Sequence, residues 1–280
     1  MKIGKLFDST RWMPGLANCY VRLQLSVASY KRKSRKNERS IVKTCLYYRI
    51  CDQGYVKEKA SYITKENCLA NALACFPLSK VEWHVLADNV CDETYAMICK
   101  YIPKENIERV KVGHGAGTFR HVYEEAIQQD DNTLVYFLED DYLHCTKSLE
   151  TLIEAAQSGM ADYMTLYDHP DKYMWNSPNP YVVNGGEKSK VLFIGGHHWK
   201  TTNSTTMTFA AFADTLKHDK KHFWRWTETK HPYDFHLFME LKKFAGRKLI
   251  SPIPSLSTHG DVTSLAPGVN WEGLVIGMRC

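Results

Sequence analysis

Thr133-Leu134-Val135-Tyr136-Phe137-Leu138-Glu139-Asp140-Asp141-Tyr142 is the stretch whose reading decides the fold. Five consecutive apolar residues, Leu134 to Leu138, mix β-branched and aromatic types and read as a strand buried on both faces. The strand runs straight into three carboxylates. Acids ending a buried strand are costly unless positive charge meets them. In an open α/β sheet, ligands sit outside the carboxyl ends of the strands. A divalent cation held by carboxylate oxygens, itself holding a phosphate, satisfies both conditions. A solvated acidic turn capping the next helix is the other reading of a bare acid triplet.

Upstream and downstream of this strand the chain alternates. Strands are expected at 41–51, 81–87, 108–112 and 163–167, and helices at 64–75, 92–101, 118–129 and 148–158. Thr64 stands where an N-cap belongs, Pro103 stops the second helix and Gly159 the fourth. Strand and helix in alternation predict βαβ units, a Rossmann-like, mainly parallel sheet with helices on both faces. Right-handed crossovers put every strand's carboxyl end on one edge. Asp52, Asp88, the glycines at 113–117 and the acids at 139–141 should therefore gather along one rim.

The alternation fails after about residue 168. Residues 168–190, rich in Pro, Gly, Asn and Asp, read as a long loop. A strand at 191–194 precedes Gly195-Gly196-His197-His198-Trp199, and a hydroxyl-rich run follows at 201–208. Helices are expected at 209–216 and 231–245, the second with Pro232 near its start and Gly246 past its end. A strand is expected at 249–253, and the tail from Ser257 reads as irregular. No internal repeat is present.

The chain has 280 residues, 44% of them hydrophobic and 24% charged, as in ordinary soluble globular proteins. A net charge of +5 is too small to imply nucleic-acid binding but suits an anionic ligand. Nine cysteines, an odd number without C-x-x-C spacing, imply a reducing, cytoplasmic setting rather than a disulfide framework. No apolar run is long enough for a transmembrane segment. Residues 1–40 read as a helical and basic extension. Its Lys31–Lys36 run is either a solvated stretch or one that touches an anionic surface or serves as a nuclear signal.

Three smaller features carry chemistry. Gly113-His114-Gly115-Ala116-Gly117 opens a helix, so its amides can approach an anion. It matches neither the dinucleotide fingerprint nor a P-loop, and a plain βα turn is an equal reading. Asp234 falls in the first turn of its helix, where it either stabilises the helix or takes a proton from a hydroxyl. His259 is either a loop residue or a nitrogen ligand beside the carboxylates. The 16 Tyr and 7 Trp suit sugar faces but also build cores.

Together these stretches resemble a family. VYFLEDDYLH at 135–144 is similar to the acidic metal motif of GT-A glycosyltransferases, and GAGTFRHVYEEAI at 115–127 to the segment before it. ADYMTLYDHPDKY at 161–173, HHWKTTNSTTMTF at 197–209, HPYDFHLF at 231–238 and LISPIPSLSTHGD at 249–261 resemble later blocks of family-2-like members. Size and composition also resemble glycosyltransferases of large algal viruses, xylosyl transfer among their activities, which would place the protein in a host cytoplasm. The resemblance implies a GT-A type α/β fold. Residues 41–168 would bind the nucleotide-sugar, and 169–280 would form an irregular, acceptor-binding and catalytic half of the same domain.

The resemblance also implies roles. Asp141, His259 and Glu139 would hold a divalent cation, Mn²⁺ or Mg²⁺. Asp52, Asp88, Asp140, Arg49, Gly115 and Arg120 would hold the nucleotide. Asp234 would be the base of an inverting displacement, although retention stays open. His198, Trp199, Thr205 and Thr206 would face the acceptor or the donor sugar. The expected partners are a nucleotide-sugar donor, UDP-linked above all, and a glycan acceptor. Two other classes remain: a metal-dependent phosphoesterase or nucleotidyltransferase, and a non-catalytic sugar-nucleotide-binding module.

Overall fold

Alternate side chains of the central strands feed two separate cores. Along β1 (Thr44–Cys51), Leu46, Tyr48 and Ile50 enter one and Cys45 and Tyr47 the other. Along β4 (Leu134–Glu139), Leu134, Tyr136 and Leu138 part from Val135 and Phe137 in the same way. A strand apolar on both faces needs a layer on each side, and helices supply both. The computed structural model describes residues 39–54 and 58–277. The expected 1–40 extension lies outside the described residues except for Arg39 and Ser40.

Nine strands form the main sheet. They are β1, β2 (Glu82–Asp88), β3 (Ile107–Val110), β4, β6 (Tyr163–Met164), β9 (Val191–Ile194), β10 (His197–Thr201), β11 (Phe209–Phe212) and β12 (Leu249–Ile253). Their order is β3-β2-β1-β4-β11-β6-β12-β10-β9, and β10 and β11 alone run against the others. The first core takes α1 (Lys65–Cys75), α2 (Asp92–Cys99), α4 (Ser148–Gln157) and α7 (Trp271–Gly277). The second takes α3 (Gly115–Ala126), α5 (Ala213–Trp226) and α6 (Asp234–Phe244). This is the expected α/β architecture, with the parallel β1–β4 block intact. No helix among the described residues is long and apolar enough to cross a membrane.

Several boundaries differ from expectation. Thr64 caps α1 as read, its hydroxyl accepting the Asn67 amide at 3.1 Å. Gly115 to Gly117 form the first turn of α3 rather than a loop before it, because His114 Nδ1 accepts the Gly117 amide at 2.9 Å and caps the helix. Phe209 to Phe212 is not helical. It is a fully buried strand between β4 and β6, and a four-residue apolar run carries no period that separates the two. The 168–190 loop contains a 3₁₀ turn at Pro170–Tyr173 and a small hairpin, β7 (Val182–Val183) with β8 (Gly186–Glu187).

The irregular tail contains β13 (Ser257–His259), which pairs antiparallel with β5 (Tyr142–His144). The pairing sets His259 opposite Tyr142, the residue after the acids. Gly260 is required there: a Cβ would lie 2.3 Å from Ile63 Cγ2 and 2.9 Å from the Asp141 carbonyl. Asn71 fastens the other end of β5. Its Oδ1 accepts the His144 amide at 2.6 Å and its Nδ2 donates to the His144 carbonyl at 3.0 Å.

Candidate functional site

The three acids at the end of β4 meet different partners. Glu139 Oε1 accepts Arg49 Nη2 at 2.8 Å, and strand register already sets these two residues side by side. Arg49 is buried and locked, since Nη1 also donates to the Gly115 carbonyl at 3.1 Å and the Thr118 hydroxyl at 3.4 Å. Asp140 Oδ2 accepts the Cys51 amide at 3.1 Å. Asp141 Oδ2 lies 3.1 Å from Lys59 Nζ and 3.4 Å from His259 Nε2. Asp141 Oδ1 is buried and has no hydrogen-bond partner among the described residues.

This geometry fits a divalent cation. Ligand atoms of Glu139, Asp141 and His259 lie within 4.8 Å of one another. Burial pushes the Glu139 carboxyl up, Asp141 and Asp140 adding to it against the pull of Arg49. Burial and Asp141 push Asp140 up in the same way. The cluster is short of positive charge, and a buried carboxylate oxygen without a donor is an expected metal ligand. An oxygen-rich set with one imidazole suits Mn²⁺ better than Mg²⁺. His259 adds a condition. Its Nδ1 accepts the Asp261 amide at 3.1 Å, so the neutral ring carries its proton on Nε2. Ligation through Nε2 requires that proton to move to Nδ1 and the Asp261 contact to open.

The other strand ends converge as the topology requires, but their carboxylates also brace the backbone. Asp52 accepts the Cys91 amide at 2.7 Å and the Thr94 hydroxyl at 3.0 Å, at the start of α2. Burial raises its carboxyl, and these donors outweigh burial, holding it below the usual range. Asp88 accepts the amides of Val112 at 2.6 Å and Gly113 at 2.9 Å. Gly113 turns there with φ +79°, a conformation that favours glycine. The rim opens into a cavity of about 910 Å³, lined by Asp52, Asp88, Gly115 and the three acids. Thr206, Asp234, His169 and Asp171 line it as well.

Asp234 is the first residue of α6 and lines this cavity, yet its oxygens are engaged. Oδ2 accepts the amides of Thr205 at 2.7 Å and Thr206 at 3.1 Å. Oδ1 accepts the Thr205 hydroxyl at 2.6 Å and the Met207 amide at 3.3 Å. A carboxylate offers about four lone-pair sites, and here each has a donor. The turn it grips is strained, with Thr206 and Met207 at φ +51° and +57°. Thr205 is buried behind the carboxylate, and Thr206 reaches the cavity.

Besides Thr205, three expected contacts do not line the cavity. Trp199 is fully buried in the first core, because β10 lies inside the sheet and turns this side chain inward. His198 points to the opposite, exposed face and packs on Phe193. Arg120 ties α3 to the end of α5 through Thr227 Oγ1 at 2.9 Å and the Trp224 carbonyl at 2.7 Å.

Sequence reading missed Lys59, His169 and Asp171, and a buried charged network behind them. Lys200 Nζ bridges Glu187 at 2.7 Å and Asp168 at 3.0 Å. Lys172 Nζ, 1% exposed, lies 3.1 Å from Ser204 Oγ and also bonds Asn203 Oδ1. The network fastens the 168–190 strap to β10 and to the 202–206 loop, and so holds Asp171 at the cavity. His169 Nδ1 lies 2.9 Å from Asp171 Oδ1, and no hydrogen bond of good geometry reaches that oxygen. The polar residues between Tyr167 and Tyr173 were the available signal. Lysines are ordinarily solvated, so nothing local marked these two as buried.

No protein-family model matches the chain, and no curated protein matches it. Solved structures do. GalNAc-T7 with UDP, GalNAc and Mn2+ superposes with a TM-score of 0.51 at 9% identity, over 78% of this chain and 43% of that one. S. aureus TarS 1-349 in complex with UDP-GlcNAc gives 0.44 at 18% identity, over 75% and 56%. S. aureus TarS itself gives 0.43 at 16% identity, over 75% and 35%. The chain thus spans about a third to just over half of these three chains. The likeness to GalNAc-T7 shows the fold: a mixed α/β, GT-A type arrangement around a large, mostly parallel sheet.

Proposed function

We propose that the protein is a metal-dependent glycosyltransferase that moves a sugar from a nucleotide-sugar, a UDP-sugar first among candidates, to a glycan hydroxyl. The observation that carries this reading is the buried, donorless Oδ1 of Asp141 beside Glu139 and His259, at the strand-end rim of a cavity large enough for a nucleotide-sugar. GalNAc-T7 carries UDP and Mn2+ on the same fold, and TarS carries UDP-GlcNAc. UDP-xylose joins UDP-hexoses as a donor to test, on the strength of the sequence resemblance to algal-virus enzymes.

Asp141, Glu139 and His259 would hold the cation, which when bound supplies Lewis-acid stabilisation of a departing diphosphate. Asp52, Asp88 and Asp140, which line the cavity, would hold the nucleoside. Tyr181 and Tyr233, each nearly half exposed, stand close to the cavity and suit sugar faces. Asp234 is the proposed base for the acceptor hydroxyl, giving inversion. To act, it must exchange one of its four donors for that hydroxyl. The filled lone pairs favour a second candidate, Asp171, whose Oδ1 accepts no hydrogen bond of good geometry, although His169 Nδ1 at 2.9 Å and Lys172 Nζ at 3.6 Å pair with it. A two-metal phosphoesterase needs a second acidic cluster about 4 Å away. The other metal-type clusters among the described residues, Cys45/Glu82/His84 and Glu108/His121/Glu125, lie outside the lining of this cavity.

The test is calorimetric titration of UDP and UDP-sugars with Mn²⁺ and then with EDTA, on wild type and Asp141→Ala. The expected result is binding that requires both the ion and Asp141. Nucleotide binding indifferent to both would refute the reading. Turnover in Asp234→Asn and Asp171→Asn then separates the two bases, and a non-catalytic module would bind donor with no turnover to lose.

A further inference from the structure

The three acids at the end of β4 are not held alike. Arg49, the partner of Glu139, is 6% exposed and fixed by further bonds to Gly115 and Thr118. The partner of Asp140 is a backbone amide. The Lys59 ammonium on Asp141 is different. Its side chain is 35% exposed, on a four-carbon stem that can swing, and it engages only Oδ2. Its backbone, in contrast, is pinned against the β13 end by a bridge to Asp261 and by the Val262 amide bond to the Glu58 carbonyl at 3.0 Å. The root of the side chain is therefore fixed beside the site while its charged head is free to move.

A cation on Asp141 and an ammonium 3.1 Å from the same carboxylate repel each other. A diphosphate in the cavity reverses that preference, because it offers the ammonium new oxygens. We propose that Lys59 is a displaceable counter-charge: it neutralises Asp141 in the ligand-free protein and transfers its ammonium to the donor's diphosphate when the cation is loaded. Lys59 thus makes the bare ion bind weakly and makes ion and nucleotide bind together. This rests on the cation–nucleotide reading of the cavity above.

The test uses Lys59→Met and Lys59→Arg with two readouts. Mn²⁺ alone is titrated by the loss of its free EPR signal, and UDP is titrated calorimetrically at saturating Mn²⁺. Lys59→Met is expected to tighten bare Mn²⁺ roughly 3–10-fold and to weaken UDP about 10-fold, the scale of one charge near a partly exposed site. Lys59→Arg should keep both values near wild type. A purely structural lysine would weaken both, and a bystander would move neither. Either pattern, or any other than opposite shifts, overturns the proposal. Asp141→Asn is measured alongside: if it leaves Mn²⁺ binding intact, the cation reading itself fails, and the Lys59 proposal with it.

Discussion

Asp234→Asn tests the grip on the 205–207 turn. The carboxylate accepts four donors, three of them at 2.6–3.1 Å. An asparagine placed with its oxygen toward the Thr205 and Thr206 amides keeps those two bonds, and the Thr205 hydroxyl can reverse its role. Each of the three then loses its charge assistance, about 1 kcal/mol apiece. The Met207 amide would face an NH₂ group and lose its acceptor, which costs about 1–2 kcal/mol more. The sum is about 4 kcal/mol, and for a domain of this size each kcal/mol moves Tm by about 2–4 °C. The expected drop is therefore about 8–16 °C in thermal denaturation followed by circular dichroism. Thr205→Val, which removes one hydroxyl bond, should give a third of that or less. A fall under about 2 °C for Asp234→Asn would refute the clamp, and would mean that the turn holds its left-handed residues without the carboxylate.

Two further outcomes follow from burial. His144 is fully buried, its Nε2 2.8 Å from the Tyr136 hydroxyl, and burial pushes its ring down to about 3. The unfolded ring titrates near 6.5, so unfolding takes up a proton between those values and stability falls as pH falls through that window. Urea unfolding at pH 6.5 and 4.5 should show about 2 kcal/mol more acid loss in wild type than in His144→Phe, and equal losses would dismiss the assignment. Trp199→Ala should cost about 3–5 kcal/mol in urea unfolding while leaving the nucleotide Kd of the folded protein within about twofold. A selective loss of sugar-nucleotide affinity would restore Trp199 to the site.

The parallel block was legible because its period is local. Leu134 to Leu138 is apolar at every position, and a strand buried on both faces has to be covered by two layers of helix. Thr64, Pro103 and Gly159 act within a few residues of themselves, so their effects could be read in order. Phe209 to Phe212 could not, because four apolar residues fit a helix or a strand and only the open slot between β4 and β6 decides. The helix-start reading of Asp234 was right in place, but the sequence carries no sign that the Thr205–Met207 turn folds back onto its carboxylate.

The acids at 139–141 and their position on a common rim follow from the sequence, since strand direction and crossover hand leave one edge for all the carboxyl ends. What meets those acids was decided in three dimensions. Arg49 reaches Glu139 through strand register, a consequence of pairing between segments 90 residues apart. His259 reaches Asp141 through the β5–β13 pair, and Lys59 through its bridge to Asp261. Lys200 is buried because the 168–190 strap closes over β10, and Lys172 because that strap packs it against the 202–206 loop, which no local pattern encodes. Local chemistry sets which elements form and which way they point. The partners of a charge depend on contacts far apart in the chain, and these exist only once the sheet has assembled.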